Sequence, residues 1–256
     1  MIIESTAIGR IVVPESLPPG FALFYTTRDF SGRLSDEAAE TLLAVVRDRF
    51  GISASLATCT QVHGTTVRNA STRAGGQGLS DGFGSNGGPW SECDSCDALW
   101  ATTSATALGI KVADCLPITM LDSSHHVVAN VHSGWRGAVQ GITAVTLDEL
   151  ESETSFSTGD AFAFLGPSIR ACCFEVGEEV VREFTAAHGD VERFVDRSCS
   201  KPHIDLVGLT TELLLSRGFR LDRIVDSNLC TRCEGSIFHS FRRDGSGGRN
   251  LAVVCQ

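Results

Sequence analysis

Residues 112–121, VADCLPITML, set a carboxylate, a thiol and a proline into a run that otherwise reads as a buried strand. Residues 128–137, VANVHSGWRG, end a second such run on a histidine and then place Trp135 and Arg136 between two glycines. The longer segments ALGIKVADCLPITMLD (107–122) and HHVVANVHSG (125–134) predict two strands joined by a turn at DSSH (122–125). Pro117 has no N–H to donate, so the first strand is expected at a sheet edge or bulged after Cys115. Strand interiors seldom hold such polar groups without a use for them, which directs the search for function to Cys115 and His132.

Outward from this pair, strand and helix signals mix without strict alternation. FALFYTTR (21–28), SLATCTQVHG (55–64), DALWATT (97–103) and AFAFLGPSI (161–169) read as strands. Residues 35–51 read as a helix: Ser35 can cap it, Asp36 and Glu37 suit its first turn, and Gly51 suits its exit. Leu42, Leu43, Val46 and Phe50 fall on one helical face. Further helices are expected over 138–152, 177–189 and, capped by Asp205, 205–218. The segments 221–228, 237–245 and 248–254 are expected to finish the chain as strands, the last two as a hairpin across DGSGG. The Gly/Ser-rich stretch 71–91 reads as a long loop inside one domain covering 1–256. These patterns predict an α+β or mixed α/β layered domain rather than a doubly wound parallel sheet.

Composition narrows the function. The 256 residues are 42% hydrophobic and 20% charged, with formal net charge −10 and 10 cysteines. Such a surface repels phosphate backbones, so nucleic acid is not an expected partner. No apolar run reaches the length of a membrane span, and the N-terminus lacks the basic and apolar regions of a signal peptide. The expected setting is the cytoplasm, with reduced thiols.

Three strand-like runs end in reactive groups: His63, Cys115 and His132. Two imidazoles and a thiolate suit Zn²⁺, and three protein donors leave a fourth position open for water or substrate, where a zinc ion lowers the pKa of water. The same residues also fit a nucleophile, Cys115, with His132 or His63 as base and Asp114 as orienter. The plain alternative is a satisfied core histidine beside a buried thiol, and periodicity does not separate the three readings. Arg136 opens a predicted helix between glycines, an anion-binding arrangement, and Arg28 closes the first strand; a surface ion pair explains either one as simply. Ser168 ends GPS (166–168), a turn whose N–H groups could face a ligand. The pairs Cys93/Cys96 and Cys230/Cys233 are too far apart in sequence for a zinc ribbon, and reduced thiols are the simpler reading. His125, His126, His188, His203 and His239 are not expected as ligands.

Taken in order, QVHG, ADCLP, HSGWRG, LGPSIRACCFEVGEEV and FHSFRRDGSGGRNLAVV resemble the signature blocks of the bacterial laccase-domain family, also called multicopper polyphenol oxidase-like. The likeness runs from about FYTTR to the C-terminus. It implies a single-domain layered α/β/β/α sandwich and a zinc site on His63, Cys115 and His132. It also implies purine nucleoside phosphorylase activity on adenosine, inosine, guanosine and methylthioadenosine, with adenosine deaminase activity beside it. Purine nucleoside and phosphate are then the small-molecule partners, with Arg28 and Arg136 as phosphate candidates. This chain departs at Ser133, where the family usually has Ala, and at Arg170 and Ala171, where Gly-Pro is common. These departures bear on substrate preference rather than on the metal. The oxidase label fits poorly, because the seven histidines include no His-x-His pair of the kind a trinuclear copper cluster needs. One Cys and two His could still take up a single Cu²⁺ adventitiously. The rivals are a Cys–His hydrolase, an oxidase using a single copper, and a zinc-stabilised binding protein without turnover.

Overall fold

The run through Cys115 is two strands in two different sheets. The computed structural model describes residues 1–71, 83–85, 88–245 and 247–256, so most of the Gly/Ser-rich stretch 71–91 lies outside the described residues. In chain order the strands are β1 (Ile2–Thr6), β2 (Gly9–Val13), β3 (Ala22–Thr26), β4 (Ser55–Cys59), β5 (Val67–Asn69), β6 (Phe83–Ser85), β7 (Trp90–Cys93), β8 (Ala98–Ala101) and β9 (Thr106–Val112). They continue with β10 (Leu116–Asp122), β11 (Val127–Ser133), β12 (Phe162–Leu165), β13 (Val195–Asp196), β14 (His203–Ile204), β15 (Ile224–Asp226) and β16 (Asn250–Cys255). The helices are α1 (Asp36–Phe50), α2 (Trp135–Val139), α3 (Ile142–Glu153), α4 (Glu178–His188), α5 (Leu206–Ser216) and α6 (Phe241–Asp244).

An 8-stranded sheet has the order β1-β2-β3-β16-β9-β4-β7-β6, and a 6-stranded sheet has the order β15-β12-β10-β11-β8-β5. Both mix parallel and antiparallel pairs; β4 runs parallel to β9 and β7, and β12 runs parallel to β15. Their inner faces share one core, in which Leu23, Tyr25, Leu108 and Ile110 meet Leu99, Leu121, Val128 and Phe164. Helix α1 covers the outer face of the larger sheet through Ala39, Leu42, Val45 and Val46. Leu147 and Leu150 of α3, with Val207 and Leu214 of α5, cover the smaller sheet. The result is the expected α/β/β/α layering. Each fully buried aliphatic side chain in these layers contributes roughly 1.5–3 kcal/mol. Asn130, wholly buried, ties the sheets together: its amide donates to the carbonyls of Leu108 (3.1 Å) and Ala252 (2.9 Å) in the opposite sheet.

The ends of the helices follow the capping rules. Ser35 Oγ accepts from the Ala38 N–H, Gly51 N–H donates to Arg47 O, and the Asp205 side chain accepts from Gly208 N–H. The single helix expected over 138–152 is instead split into α2 and α3, because Gly141 takes φ 83°, a left-handed conformation that ends one helix and caps the next. Pro117 does not mark an edge. Strand β10 lies between β11 and β12, and Pro117 sits near its start, where its carbonyl accepts from Gly166 N–H at 2.9 Å before the ladder to β12 runs on from Ile118↔Leu165. The C-terminal hairpin expected across 244–248 does not form. Residues 241–244 are helical, capped by Ser240 Oγ on Arg243 N–H, and β16 runs between β3 and β9 in the large sheet.

Candidate metal centre and its cavity

The chain crosses between sheets at residues 113–115, where Asp114 takes φ 86°. The register Leu116↔Ser133 and Pro117↔His132 then sets Cys115, just ahead of β10, beside the end of β11. His63 arrives on the loop after β4, itself at φ 61°. The ligand atoms of His63, Cys115 and His132 all lie within 4.8 Å of one another. Cys115 Sγ is 3.9 Å from His63 Nε2, and the two imidazole rings meet edge to face at 4.8 Å between centroids.

Asp97, which the sequence reading passed over, organises this group. Its fully buried carboxylate accepts His132 Nδ1 at 2.8 Å and the backbone N–H groups of Val62, His63 and Gly64 at 3.3, 2.9 and 2.7 Å. One side chain therefore fixes the loop that carries His63 and directs Nε2 of His132 toward Cys115. The sequence reading placed Asp114 as orienter, but Asp114 is occupied elsewhere. Its Oδ1 accepts from the Thr231 hydroxyl and its Oδ2 from the Arg242 N–H, each at 2.6 Å. The signal that could have identified Asp97 is a carboxylate opening a fully buried strand directly after CDSC.

Electrostatics reinforce the geometry. Burial opposes ionisation of Cys115, but hydrogen bonds and charge from His132 and His63 outweigh it and bring the thiol down to about 6. Burial likewise opposes protonation of His132, and its contacts with Asp97 and Cys115 overcome this and raise it to about 9. Asp97 is also desolvated, yet His132 and the backbone N–H groups hold it below the usual carboxylate range. The donors suit a tetrahedral metal ion: two nitrogens and a readily ionised sulfur, gathered to within reach of one ion, with a carboxylate behind one imidazole. Gly134 is part of the fit. A Cβ there would stand 3.0 Å from both Cys115 Sγ and His63 Cδ2, so a side chain would wedge into the donor group.

The group forms the floor of a cavity of about 560 Å³. Trp135, Ile169, Phe174 and Phe241 give apolar walls, Lys111, Arg136, Arg242 and Arg249 are the lining cations, and Asp114 is the lone acid among the lining residues. The volume falls within the range of small-molecule sites. Arg136 lies against the Trp135 ring, 4.3 Å from its centroid, and has no carboxylate partner among the described residues. Arg28 is not part of this lining. It donates to Gly235 O and faces a smaller adjoining recess that shares Phe241 and Arg249 with the cavity. Ser168 is not brought to the cavity either: its hydroxyl is buried, and its N–H donates to Leu229 O at 3.3 Å. Lys111, Arg242 and Arg249 are cations that sequence reasoning missed. Arg242 and Arg249 lie in FHSFRRDGSGGRN, a block recognised only as a signature.

A family model described as multi-copper polyphenol oxidoreductase laccase matches residues 25–256. The chain belongs to that family. Among the laccase-family relatives, a protein named adenosine deaminase RL5, from an unknown prokaryotic organism, is 39% identical over 162 residues, covering 62% of this chain and 61% of that protein. A purine nucleoside phosphorylase from Bacteroides thetaiotaomicron is 36% identical over 161 residues, covering 62% of this chain and 60% of its own length. These matches thus span somewhat under two thirds of either relative. The crystal structure of Bacillus licheniformis hypothetical protein YfiH superposes with a TM-score of 0.78 at 22% identity, covering 92% of both chains, which establishes the shared fold.

The cysteines sort into separate places, and all ten are free of disulfides. Cys93 and Cys96 sit 2.6 Å apart, in the same core as Cys59. Cys230 and Cys233 lie elsewhere, grouped with Cys172 and Cys173. The two CxxC pairs do not join each other.

Proposed function

We propose that this chain is a zinc-dependent purine nucleoside enzyme that cleaves nucleosides with phosphate and also deaminates adenosine. The observation that carries the reading is the His63–Cys115–His132 donor group at the floor of a cavity with aromatic walls and cationic lining. Relatives named as a purine nucleoside phosphorylase and an adenosine deaminase support it. Adenosine, inosine, guanosine and methylthioadenosine are the substrates to test. A reducing cytoplasm suits a chain whose ten cysteines are all free.

In phosphorolysis a phosphate oxygen attacks the anomeric carbon while the purine nitrogen departs with the bonding electrons. Arg136, free of a carboxylate partner, binds the phosphate in this reading, with Arg242 and Arg249 supplying further positive charge. Arg28 backs the adjoining recess, and Ser168 serves the fold rather than the ligand. Trp135, Phe174 and Phe241 provide apolar faces for the purine and exclude water from it. Asp97 holds His132 in its tautomer. Asp114, with both oxygens engaged, braces the backbone of Arg242 and the 231 loop rather than moving a proton. His63, Cys115 and His132 would hold a zinc ion, which when bound would supply Lewis acidity and lower the pKa of a coordinated water for deamination.

One observation favours a second reading. Cys115, lowered to about 6 beside two imidazoles, would also serve as the nucleophile of a hydrolase. The deciding experiment combines metal analysis of protein purified without added metal with adenosine assays run with and without phosphate. The proposal expects bound zinc, a thiol shielded from alkylation until chelator is added, and adenine plus ribose-1-phosphate formed only with phosphate. Inosine formed without phosphate marks the deaminase arm. A metal-free protein whose Cys115 alkylates at once, and which turns over no nucleoside, overturns it.

A further inference from the structure

A second group of soft donors lies outside the nucleoside cavity. Cys172 and Cys173 sit in the turn after β12, and Cys230 and Cys233 sit in the loop after β15. Their four sulfurs all lie within 4.8 Å of one another. Cys172 and Cys233 are 3.8 Å apart, and Cys173 and Cys233 are 3.4 Å apart. A tetrahedral Zn²⁺ with Zn–S bonds of about 2.3 Å has sulfur–sulfur edges of about 3.8 Å. The separations are far too long for a disulfide, whose sulfurs stand about 2.05 Å apart. The Cys93–Cys96 contact, 2.6 Å, is too short for such an edge, so the spacing is particular to this group.

Residues 230–235 wrap tightly, with Glu234 N–H on Cys230 O and Gly235 N–H on Cys233 O, both at 2.9 Å. Arg243 donates to the carbonyls of Thr231 and Arg232 at 2.9 and 3.0 Å, which sets a guanidinium beside the loop that carries Cys230 and Cys233.

We propose that Cys172, Cys173, Cys230 and Cys233 form a second, closed metal site that holds a structural zinc ion. The ion takes four thiolates, and the four thiol protons pass to solvent. With every position filled by protein, the site has no vacancy for substrate, so its role is to brace. It joins two segments that build the cavity wall. Ile169 and Phe174 flank one pair of cysteines, and Thr231, whose hydroxyl holds Asp114, lies between the other pair. The sheet register assists: Ser168 and Cys230 already form a bridge next to the parallel pair β12–β15.

The test is zinc content per chain, measured on full-length protein purified without chelators or added metal, for the native chain and for Cys115→Ala, Cys233→Ser and the double variant. The expected series is two, one, one and none. Loss at Cys115 alone reports on the nucleoside site and leaves the second site filled, so failure of either assignment shows separately. Two ions retained in Cys233→Ser, or a single ion in the native chain that Cys115→Ala removes, overturns the proposal, as does iron in place of zinc. Should Cys233→Ser not fold, thiol titration of the native protein decides. Cys172, Cys199 and Cys233 are all exposed. The proposal expects Cys199 to react at once and the other two only after a chelator strips the ion. Immediate reaction of all three overturns it.

Discussion

The two donor groups contrast in origin and in enclosure. His132 lies near the end of β11, Cys115 at the crossing just ahead of β10 and His63 on the loop after β4, and together they face a cavity. Cys172, Cys173, Cys230 and Cys233 come from loops, with two sulfurs buried and two exposed, and they face one another. Three mixed donors leave a coordination position for chemistry, while four thiolates leave none. Second partners differ as well. A buried carboxylate orients the first group, whereas a guanidinium braces the loop that carries half of the second. On the proposed reading, the same soft-donor chemistry serves catalysis where it is open and structure where it is closed.

The sharpest way to break this contrast is to remove one sulfur from each group. Cys115→Ala should reduce nucleoside turnover by at least about 1000-fold, since a Lewis acid contributes several kcal/mol to the transition state. Its melting temperature should fall less than that of Cys233→Ser. Cys233→Ser should retain measurable turnover and lose stability, read as a lowered denaturant midpoint. If the two variants exchange these phenotypes, the division into open and closed sites is wrong.

Asp97→Asn sharpens the account of the first group. It keeps the shape but removes the charge behind His132, and loss of such a partner weakens metal binding by roughly 10–100-fold. A zinc competition titration measures this, and an unchanged affinity would show that the carboxylate has no part in metal binding.

The two groups should also differ in proton release. In the metal-free chain Cys115 ionises near 6 and His132 loses its proton only near 9, so between those values the pair is thiolate and imidazolium. The ion must expel the His132 proton, and affinity should therefore rise by about tenfold per pH unit across that window. Below about 6 the rise should steepen, because Cys115 must deprotonate too. Calorimetry of the Cys233→Ser chain in buffers of different ionisation enthalpy reads the proton directly. No proton released near pH 7.5 would contradict the thiolate–imidazolium pair.

The smallest effect belongs to a region without donors. Ser35→Ala should destabilise the chain by about 1 kcal/mol through the lost N-cap of α1, with metal content and turnover unchanged.

What was legible in the sequence follows from the range of the forces involved. Ser35, Gly51 and Asp205 mark helix ends through contacts three or four residues away, and those helices were found. His63, Cys115 and His132 stood out because each ends an apolar run that had no packing use for it. The crossing at 113–115 was hidden, since periodicity does not reveal which sheet a strand joins. Pro117 misled for the same reason: it lies at the end of the β12 ladder, where its carbonyl still accepts from Gly166 N–H. Asp97 and the grouping of Cys172 and Cys173 with Cys230 and Cys233 depend on sheet register, a long-range property that a local pattern does not encode. The strand expected over 237–245 was misassigned because residues 241–244 form a capped helical turn in place of a hairpin arm, whereas the final strand forms as β16.

The most direct measurement is anomalous scattering at the zinc edge from crystals of the native chain soaked with inosine and phosphate. The account predicts a peak at bonding distance, about 2.0–2.3 Å, from a His63 nitrogen, Cys115 Sγ and His132 Nε2, with the purine in the cavity beside it. Nucleoside density in that cavity with no ion among those three side chains would contradict it.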